Sequence, residues 1–402
     1  MVPLHIKNLV AMIRFEEARE ILLSNVITTG TERVDFNKAL FRVLAEDVFS
    51  DVDMPPFDKA AVDGYACRRE DLDRDLEVLE LIPAGMVPTK AIGKGQCTKL
   101  MTGAMVPQGA DTVIMVEYTE EVAPGMIRFT GNKTTSNIAI KAEDVKKRDL
   151  VLSKGTLILP QHIAILASAG WVSPLVGRQP RVAILSTGDE LVEPAVMPAA
   201  GQIRNSNGFQ LIAQVRAAHC IPNYMGIIPD DEDATDRAIG QALEENDMVL
   251  LTGGVSMGDF DFVPKIMRKN QVAIQFQKVA VKPGKPTVFG KTDKTYIFGL
   301  PGNPVSSFIN FEVFAKPLLH RMMGLDWQPG GLSLSMGVDF YRKKADRLEF
   351  LPVIVDKAGQ VTPVSYHGSA HIHSMVLADG IMSIPAGIHE IKKGAPVHVR
   401  PI

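Results

Sequence analysis

The chain has 402 residues, of which 46% are hydrophobic, and this is enough for two to four domains at roughly 150 residues each. Its 43 basic and 46 acidic residues leave a net charge of −3, which argues against a nucleic-acid binder or a membrane-surface protein. No apolar run approaches the roughly 18 residues of a membrane-spanning helix, and the N-terminus lacks a signal-peptide pattern. Cys67, Cys97 and Cys220 are far apart in sequence, so we expect no disulfide framework, no CxxC metal site and a cytoplasmic location.

The first part of the chain changes from helical to β-type patterning. Apolar residues at helical spacing predict helices over residues 15–23 and 35–44. Residues 78–129 contain short β-type runs broken by Pro and Gly, which predict a small inserted β-rich module. A further helix is predicted over residues 161–169.

From Arg181 to Gly324, apolar strands alternate with helices. The predicted strands are 182–185, 225–228 and 248–251, and the predicted helices are 208–218 and 233–244. This alternation is typical of a parallel α/β sheet with right-handed crossovers. After residue 331 the pattern returns to β-type through 350–355, 381–385 and 396–399, which predicts a C-terminal β-barrel or sandwich.

Three of the apolar strands run into glycine-containing loops, in VAILSTGDE, MVLLTGGVSMGDFD and YIFGLPGNPVSS. Ligands bind outside the carboxyl ends of strands in such sheets, and glycine lets the backbone approach a phosphate closely. None of the loops matches GxxxxGK[ST] or GxGxxG, so an ordinary nucleotide triphosphatase or a nicotinamide dehydrogenase is not indicated. The candidate ligand-binding residues are Thr187, Gly188, Gly253, Gly254, Ser256, Pro301, Gly302, Asn303 and Pro304.

Lysines and acids accompany these loops. Lys278, Lys282 and Lys285 surround a Pro-Gly turn, which indicates either a solvated turn or a site for a phosphate or another oxyanion. Carboxylates at strand ends beside phosphate loops suit Mg²⁺, although Asp231 or Asp233 fits helix capping as well. The acids concerned are Asp189, Glu190, Asp230, Asp231, Asp259 and Asp261.

Three further loops have an unusual composition. Residues 54–66 combine Pro-Pro, an aromatic pair and Asp63, which indicates a functional loop. Thr102 and Gly103 occupy a turn that is either a plain hairpin or part of a site. His367, His371 and His373 are spaced as zinc ligands can be, but without a fourth ligand we favour polar loop residues near an anionic ligand.

These segments carry a family resemblance. The chain resembles the molybdopterin molybdenumtransferase family, which includes the C-terminal domain of gephyrin, in six ordered blocks: MPPFDKAAVDGYA, KLMTGAMVPQGADTVIMVE, ILSTGDELV, LTGGVSMGDFDFVP, VAVKPGKP and FGLPGNPVSS. The resemblance covers nearly the whole chain and implies an elongated homodimer of multidomain α/β subunits. The implied parts are a split helical segment (13–50 and 140–180), an inserted β-rich module (51–139), an α/β molybdopterin-binding domain (181–326) and a C-terminal β-barrel (330–402).

The resemblance also implies a reaction, in which molybdenum from molybdate enters adenylylated molybdopterin with Mg²⁺-dependent release of AMP. Glu190, Asp230 and Asp261 would bind Mg²⁺, and Lys278, Lys282 and Lys285 would bind the phosphates or molybdate. Pro301 and Pro304 would shape the oxyanion pocket, and the other subunit would contribute Asp63, Thr102 and Asp144. The dithiolene sulfurs of the substrate would hold the molybdenum. Transient contacts with a molybdopterin adenylyltransferase and with molybdoenzyme acceptors are implied as well.

The chain departs from the family pattern at two places. Lys141 is the one cation where family members commonly have an Arg-rich stretch. The serine of the C-terminal loop matches either Ser369 or Ser374, or else Ala370 stands at its position, so that contact is left unassigned. Two other functions compete with metal insertion. An adenylyltransferase would not need the inserted module or the C-terminal barrel, and a receptor-clustering scaffold would not need the acidic and lysine loops.

Overall fold

The computed structural model describes residues 12–254, 263–326, 330–365 and 368–402. Contacts divide the chain into two compact units. The first contains the described residues up to Arg33, Phe41–Ala45 and Leu175–Ile402, and the second contains Val34–Leu40 and Glu46–Pro174. The four-part division drawn from the sequence stays a prediction. Among the described residues, no helix is both long and apolar enough to cross a membrane.

A mixed six-stranded sheet organises the first unit. Its spatial order is Ile221–Ile228, Arg181–Thr187, Met248–Thr252, Tyr296–Leu300, Val288–Lys291 and Ala273–Phe276. The first four strands are parallel, as predicted, but Val288–Lys291 runs antiparallel to both of its neighbours, Tyr296–Leu300 and Ala273–Phe276. The four residues 292–295 join two neighbouring strands, and so short a connection permits only an antiparallel pair.

Helices cover the apolar faces of this sheet. The crossover helices are Ser206–Ala217, Glu232–Glu245 and Val263–Lys269, and Pro304–Asn310 continues through a π-helical turn, Phe311–Ala315, into Lys316–Met322. Val249, Leu251, Ile266 and Ile297 are fully buried in one continuous apolar cluster. Burial of that cluster stabilises the layer, because each large apolar side chain removed from water contributes about 1.5–3 kcal/mol.

The C-terminal strands of the first unit form a barrel. The ring order is Leu348–Val355, Gln360–Pro363, Leu332–Met336, Pro396–Pro401 and Gly380–Ile384, and the last strand pairs back with the first. The strand Val281–Lys282 adds to the outside of Leu348–Val355. The closed ring confirms the predicted β-barrel.

The second unit contains the inserted module. Its six-stranded sheet has the order Thr112–Met115, Gly64–Cys67, Gln96–Leu100, Asp75–Ile82, Met126–Phe129 and Thr119–Ala123. Helix Pro160–Ser168 agrees with the prediction over 161–169. Short 3₁₀ turns lie at Phe36–Lys38, Arg69–Asp71 and Val116–Tyr118.

Short strand pairs and two further helices complete the fold. The pairs are Thr31–Arg33 with Leu175–Gly177, Val48–Phe49 with Leu150–Leu152, Lys59–Ala60 with Ile138–Ala139, Leu191–Val192 with Ile203–Arg204, and Phe340–Tyr341 with Glu390–Ile391. The helices are Phe15–Leu23, as predicted, and His373–Val376.

The helix predicted over residues 35–44 is wrong. Only the 3₁₀ turn Phe36–Lys38 forms there, and Phe41 has a φ of +61°. A right-handed helix cannot contain that backbone conformation. Ala39, Val43 and Leu44 are buried, so the apolar spacing reports core positions in irregular backbone.

Candidate functional site

A pocket of about 340 Å³ lies at the carboxyl edge of the α/β sheet. Three parallel strands end there, at Thr187, Thr252 and Leu300, and each continues into a loop that contains glycine. Six residues predicted from the sequence line this pocket: Thr187, Glu190, Gly253, Gly302, Asn303 and Pro304. The loops that the sequence singled out therefore surround one cavity.

Gly253 allows two strand ends to approach each other closely. Its φ of +95° lies in the left-handed region, and a Cβ there would lie 2.6 Å from the Thr187 carbonyl oxygen and 2.7 Å from the Thr187 hydroxyl. Both conformation and space therefore require glycine. The Thr187 hydroxyl is buried and has no hydrogen-bond partner among the described atoms.

Asn207 offers a second buried, unpaired atom at the pocket. Its Nδ2 donates to the Thr252 hydroxyl at 3.1 Å and to the Gly302 carbonyl at 2.7 Å, which fixes the side-chain amide in place. The residue is 9% exposed, yet its Oδ1 has no partner in the part of the chain that the structure describes. Leaving such a group unpaired costs about 1–3 kcal/mol. A ligand that donates a hydrogen bond to Oδ1 would remove that cost.

Asn205 positions the start of the helix Ser206–Ala217 at the pocket. Its Oδ1 accepts from the Gly208 N–H and from the Ser186 hydroxyl, both at 3.0 Å. Its Nδ2 donates to the Tyr224 hydroxyl at 2.9 Å, and that hydroxyl donates to Glu193 at 2.7 Å.

Burial and the Glu193 carboxylate raise the pKa of Tyr224 well above its usual range, so the phenol keeps its proton. Residues 205–207 line the pocket, and the positive end of the helix dipole there favours an anionic ligand.

The acids predicted to bind Mg²⁺ follow neighbouring strands at this edge. Glu190 lines the pocket, and its carboxyl group lies beside Gly188, whose φ is +143°. Asp230 is exposed, and its backbone N–H donates to the Asp189 carboxylate at 3.1 Å. Exposed carboxylates in adjacent loops are a donor set that fits Mg²⁺, which uses one or two protein carboxylates together with water and phosphate oxygens.

Other predicted acids are outside this group. Asp231 caps the helix Glu232–Glu245 by accepting from the Ala234 N–H at 2.7 Å, so its capping role is the one observed. Asp259, Asp261 and Ser256 lie outside the described residues. Within the described ranges, no three His, Cys, Asp or Glu side chains form a group that could hold a metal ion by themselves.

The three predicted lysines are not among the described residues that line the pocket. Lys282 is in the strand that joins the barrel, and its ammonium lies 2.6 Å from the buried carboxylate of Glu349. Lys278 is half-buried, and Lys285 is exposed. The turn between them is tight, because a Cβ on Gly284 would overlap the Asn310 side-chain amide.

In the second unit, Asp63 and Thr102 are in direct contact. One carboxyl oxygen of Asp63 accepts from both the Thr102 N–H at 2.6 Å and the Thr102 hydroxyl at 2.8 Å. The backbone N–H and then the hydroxyl lower the pKa of Asp63, so the exposed carboxylate stays ionised. The structure therefore joins two residues that the sequence singled out separately.

Asp144 lines a different pocket of the second unit, of about 580 Å³, beside Met54, Pro55 and Pro56. Lys141 points its ammonium at Asp53, at 3.3 Å. The Lys147 N–H, and to a smaller degree Lys141, lower the pKa of Asp53. Lys141, the one cation at the position of the family's Arg-rich stretch, is therefore already paired with an acid.

The C-terminal loop contributes Ala370 and Ile372 to the carboxyl-edge pocket. The Asn303 Nδ2 donates to the Ser369 hydroxyl at 3.0 Å, whereas the Ser374 hydroxyl is buried and donates to the His371 carbonyl at 2.7 Å. Of the two candidate serines, Ser369 is the one beside a pocket loop. His367 lies outside the described residues.

A larger pocket, of about 620 Å³, lies at the opposite, amino edge of the same sheet. Some of its polar groups are bonded to one another: the Arg181 N–H donates to Asp247 at 2.8 Å, and the Thr295 hydroxyl donates to the Asn246 carbonyl at 3.1 Å. No described residue of its lining has a buried side-chain atom without a partner. Volume alone would select this pocket, but its chemistry is already satisfied.

The sequence interpretation missed several residues of the carboxyl-edge pocket: Leu191, Ile203, Arg204, Asn205, Ser206, Asn207 and Thr252. The sequence signal that could have found them is the run Asn205-Ser206-Asn207 directly before a helical pattern. Such a run is typical of the start of a helix, where anions bind.

Comparison with known proteins places the site in a family. Three family models match: MoeA N-terminal region (domain I and II) over residues 13–170, probable molybdopterin binding domain over 183–321, and MoeA C-terminal region (domain IV) over 339–402. A molybdopterin molybdenumtransferase of Staphylococcus epidermidis is 34% identical, with 96% of this chain and 95% of the relative covered. The chain belongs to the molybdopterin molybdenumtransferase family. The enzyme of that name from Bacillus subtilis is also 34% identical, covering 92% of this chain and 89% of its own.

A solved structure has the same fold. The crystal structure of the molybdopterin biosynthesis MoeA protein from Pyrococcus horikoshii OT3 matches with a TM-score of 0.84 and 31% identity, covering 98% of this chain and 100% of that one. The family model described as a probable molybdopterin binding domain spans every residue of the carboxyl-edge pocket except Ala370 and Ile372. The same family model also spans most of the amino-edge pocket, so it assigns the domain, and the choice between the two edges rests on the geometry.

Proposed function

We propose that this chain is a molybdopterin molybdenumtransferase that inserts molybdenum from molybdate into adenylylated molybdopterin and releases AMP. One observation carries the proposal: the pocket within the matched molybdopterin-binding region contains two buried polar atoms without partners, on Thr187 and Asn207. The names of relatives at 34% identity support the transfer of molybdenum to molybdopterin, and the adenylylated substrate and the release of AMP are part of the proposal.

The pocket suits one end of such a substrate. A pterin has ring N–H and amino groups, and the Oδ1 of Asn207 accepts a hydrogen bond from one of them. The phosphate groups lie toward the N-terminus of the helix Ser206–Ala217 and the loop 301–304, where backbone N–H groups favour negative charge.

Glu190 and Asp230, with Asp261, would hold Mg²⁺ at this edge, where the ion would neutralise charge on the phosphoanhydride oxygens. Gly188 leaves room for the Glu190 carboxyl beside the backbone, since a Cβ at 188 would overlap it. Pro301 and Pro304 restrict the loop that borders the pocket, so the anion site is preorganised.

Lys278 and Lys285 are proposed to bind phosphate or the incoming molybdate dianion. Lys282 is proposed to bind the same anion, although its ammonium must first leave the Glu349 carboxylate with which it is paired. The Glu349 carboxylate would still have a cationic partner after Lys282 leaves, because Arg342 also donates a hydrogen bond to it, at 3.1 Å.

We also propose that the protein is a homodimer in which Asp63, Thr102 and Asp144 of one subunit complete the site of the other. Their placement supports a binding role, because Asp63 is exposed, ionised and fixed by Thr102. Mixing Asp63→Ala chains with Glu190→Gln chains tests this arrangement. Recovery of activity in the mixture is expected, because a heterodimer has one intact composite site, whereas no recovery would mean that each site lies within one chain.

The reaction itself is tested by measuring AMP release from adenylylated molybdopterin with Mg²⁺, with and without molybdate. Molybdate-dependent release is expected, together with a product that activates a molybdenum-free acceptor enzyme. Absence of release under all conditions, with retained pterin binding, would instead favour a scaffold.

A further inference from the structure

Two of the three cysteines, though 30 positions apart in sequence, face each other in the module sheet. Cys67 is in the strand Gly64–Cys67, Cys97 is in the antiparallel strand Gln96–Leu100, and the two are direct partners in the register. Both are fully buried, and both are free thiols. Cys220 belongs to the other compact unit.

The hydrogen-bond pattern shows which kind of pair they form. The Cys67 carbonyl accepts from the Asp111 N–H at 3.1 Å, on the side away from Cys97. On the other strand, the Gly95 carbonyl accepts from Glu77 at 2.9 Å and the Met101 N–H donates to Ile82 at 3.2 Å, both away from Cys67. Backbone groups alternate sides along a strand, so those of Cys97 also point away.

Cys67 and Cys97 are therefore a non-hydrogen-bonded pair. Such antiparallel pairs bring the Cα atoms to about 4.5 Å, with the side chains on the same face of the sheet. This value lies within the range of about 4.4–6.8 Å that disulfides span. We propose that Cys67 and Cys97 form a cross-strand redox site, which a small-molecule disulfide converts from dithiol to disulfide.

The reaction is a two-step exchange. One thiolate attacks a sulfur of the reagent disulfide, which gives a mixed disulfide and releases one thiol. The facing thiolate then attacks the bound sulfur and releases the second thiol. Two S–H bonds are replaced by one S–S bond, and the two electrons and two protons leave on the two reagent thiols.

Burial makes this site slow rather than reactive. Burial, with the neighbouring acids Asp111 and Asp71, raises the pKa of Cys67 to about 12. Burial, with Cys67 itself, raises the pKa of Cys97 to about 12. Because only the thiolate attacks, the oxidation rate increases about tenfold for each unit by which the pH is raised, as long as the pH stays below about 12. The dithiol is thus stable against brief exposure to oxidant.

The position links this site to the residues that precede and follow the two strands. Asp63 precedes the first strand, and Thr102 follows the second by two residues. A disulfide between the two strands would therefore hold together the strand pair at whose end Asp63 contacts Thr102. Formation of the bond is independent of the proposed function, and measuring it does not require enzymatic activity.

The test uses the purified full chain, incubated at pH 9 with oxidised glutathione, then quenched in acid, denatured and alkylated. Mass spectrometry counts the thiols and maps the bond. We expect alkylatable thiols to fall from three to one, with loss of two hydrogen atoms and a Cys67–Cys97 linkage. Three remaining thiols, or a linkage through Cys220, would overturn the proposal.

Two single variants provide the control. Cys220→Ala should leave no alkylatable thiol after oxidation, because the pair is intact. Cys97→Ala should leave Cys67 unable to form an internal bond, so oxidation gives at most one mixed glutathione disulfide on each of the two remaining cysteines. If Cys97→Ala still lost two hydrogen atoms without an adduct, the assigned pair would be wrong.

Discussion

The two edges of the α/β sheet carry pockets of opposite character. The amino-edge pocket, of about 620 Å³, is the larger, but no described residue of its lining has a buried side-chain polar atom without a partner. The carboxyl-edge pocket, of about 340 Å³, contains buried polar atoms without partners on Thr187 and Asn207. A buried group without a partner destabilises the empty protein, and a ligand that supplies the missing bond removes that cost. Of the two pockets, the smaller is the one whose described lining has buried polar atoms without partners, and volume alone would not select it.

The largest difference between the edges should come from two glutamates. Glu190→Gln should lower the turnover rate about 100-fold, because the pocket loses a carboxylate placed to hold Mg²⁺. Glu244→Gln at the amino edge should leave turnover unchanged. Steady-state AMP release measures both, and thermal unfolding should show no change for either exposed residue. Equal losses of activity at both edges would remove the distinction.

A pair of glycines should differ next. Gly253→Ala should destabilise the fold by about 2 kcal/mol or more, because the residue has positive φ and a Cβ there meets Thr187. Gly240→Ala, inside the helix Glu232–Glu245, should gain up to about 1 kcal/mol from helix propensity. The Asn270 Oδ1, 3.2 Å from the new Cβ, must shift slightly and reduces that gain. Urea unfolding measures the change in the free energy of unfolding for each variant. If Gly253→Ala left that free energy unchanged, the loop would tolerate a side chain at this position.

Two asparagines separate binding from stability. Asn207→Ala should weaken pterin binding about tenfold, because its Oδ1 acceptor and the support of Gly302 are both lost. Asn270→Ala should lose about 1 kcal/mol of stability, through its bond to Asp236, with unchanged binding. Isothermal titration with the pterin substrate distinguishes the two, and a binding loss in Asn270→Ala would count against the assignment.

The smallest expected effect concerns two tyrosines. Tyr224→Phe removes the hydroxyl that links Asn205 to Glu193, and we expect a loss of about 1 kcal/mol or less in substrate binding. Tyr296→Phe removes the acceptor of the Ile27 N–H and should lower stability by a similar amount without changing binding. The comparison requires a binding assay and a melting curve on each variant.

Sequence reasoning succeeded where one local pattern decides the structure. The helix Phe15–Leu23 and the parallel strands followed from apolar spacing, and the glycine loops marked the ends of the strands. It failed over residues 35–44, where Phe41 adopts positive φ while the apolar spacing still looks helical. Positive φ in a non-glycine residue is set by tertiary packing, which no local pattern reports.

Contacts between residues far apart in the chain also could not be predicted from the sequence. Asn207 gains its importance from Thr252 and Gly302, which lie 45 and 95 positions away. Cys67 and Cys97 looked scattered until the strand register paired them. A sequence without an alignment reveals residue types at strand ends, but pairing between strands depends on the fold.

The most direct test of the central claim is amide hydrogen exchange, measured with and without adenylylated molybdopterin. Bound substrate should protect the carboxyl-edge segments 187–191, 205–208, 252–254 and 301–304, and should leave the amino-edge segments 244–247 and 292–295 unchanged. Protection confined to the amino edge would contradict the account, because the larger pocket would then be the substrate site.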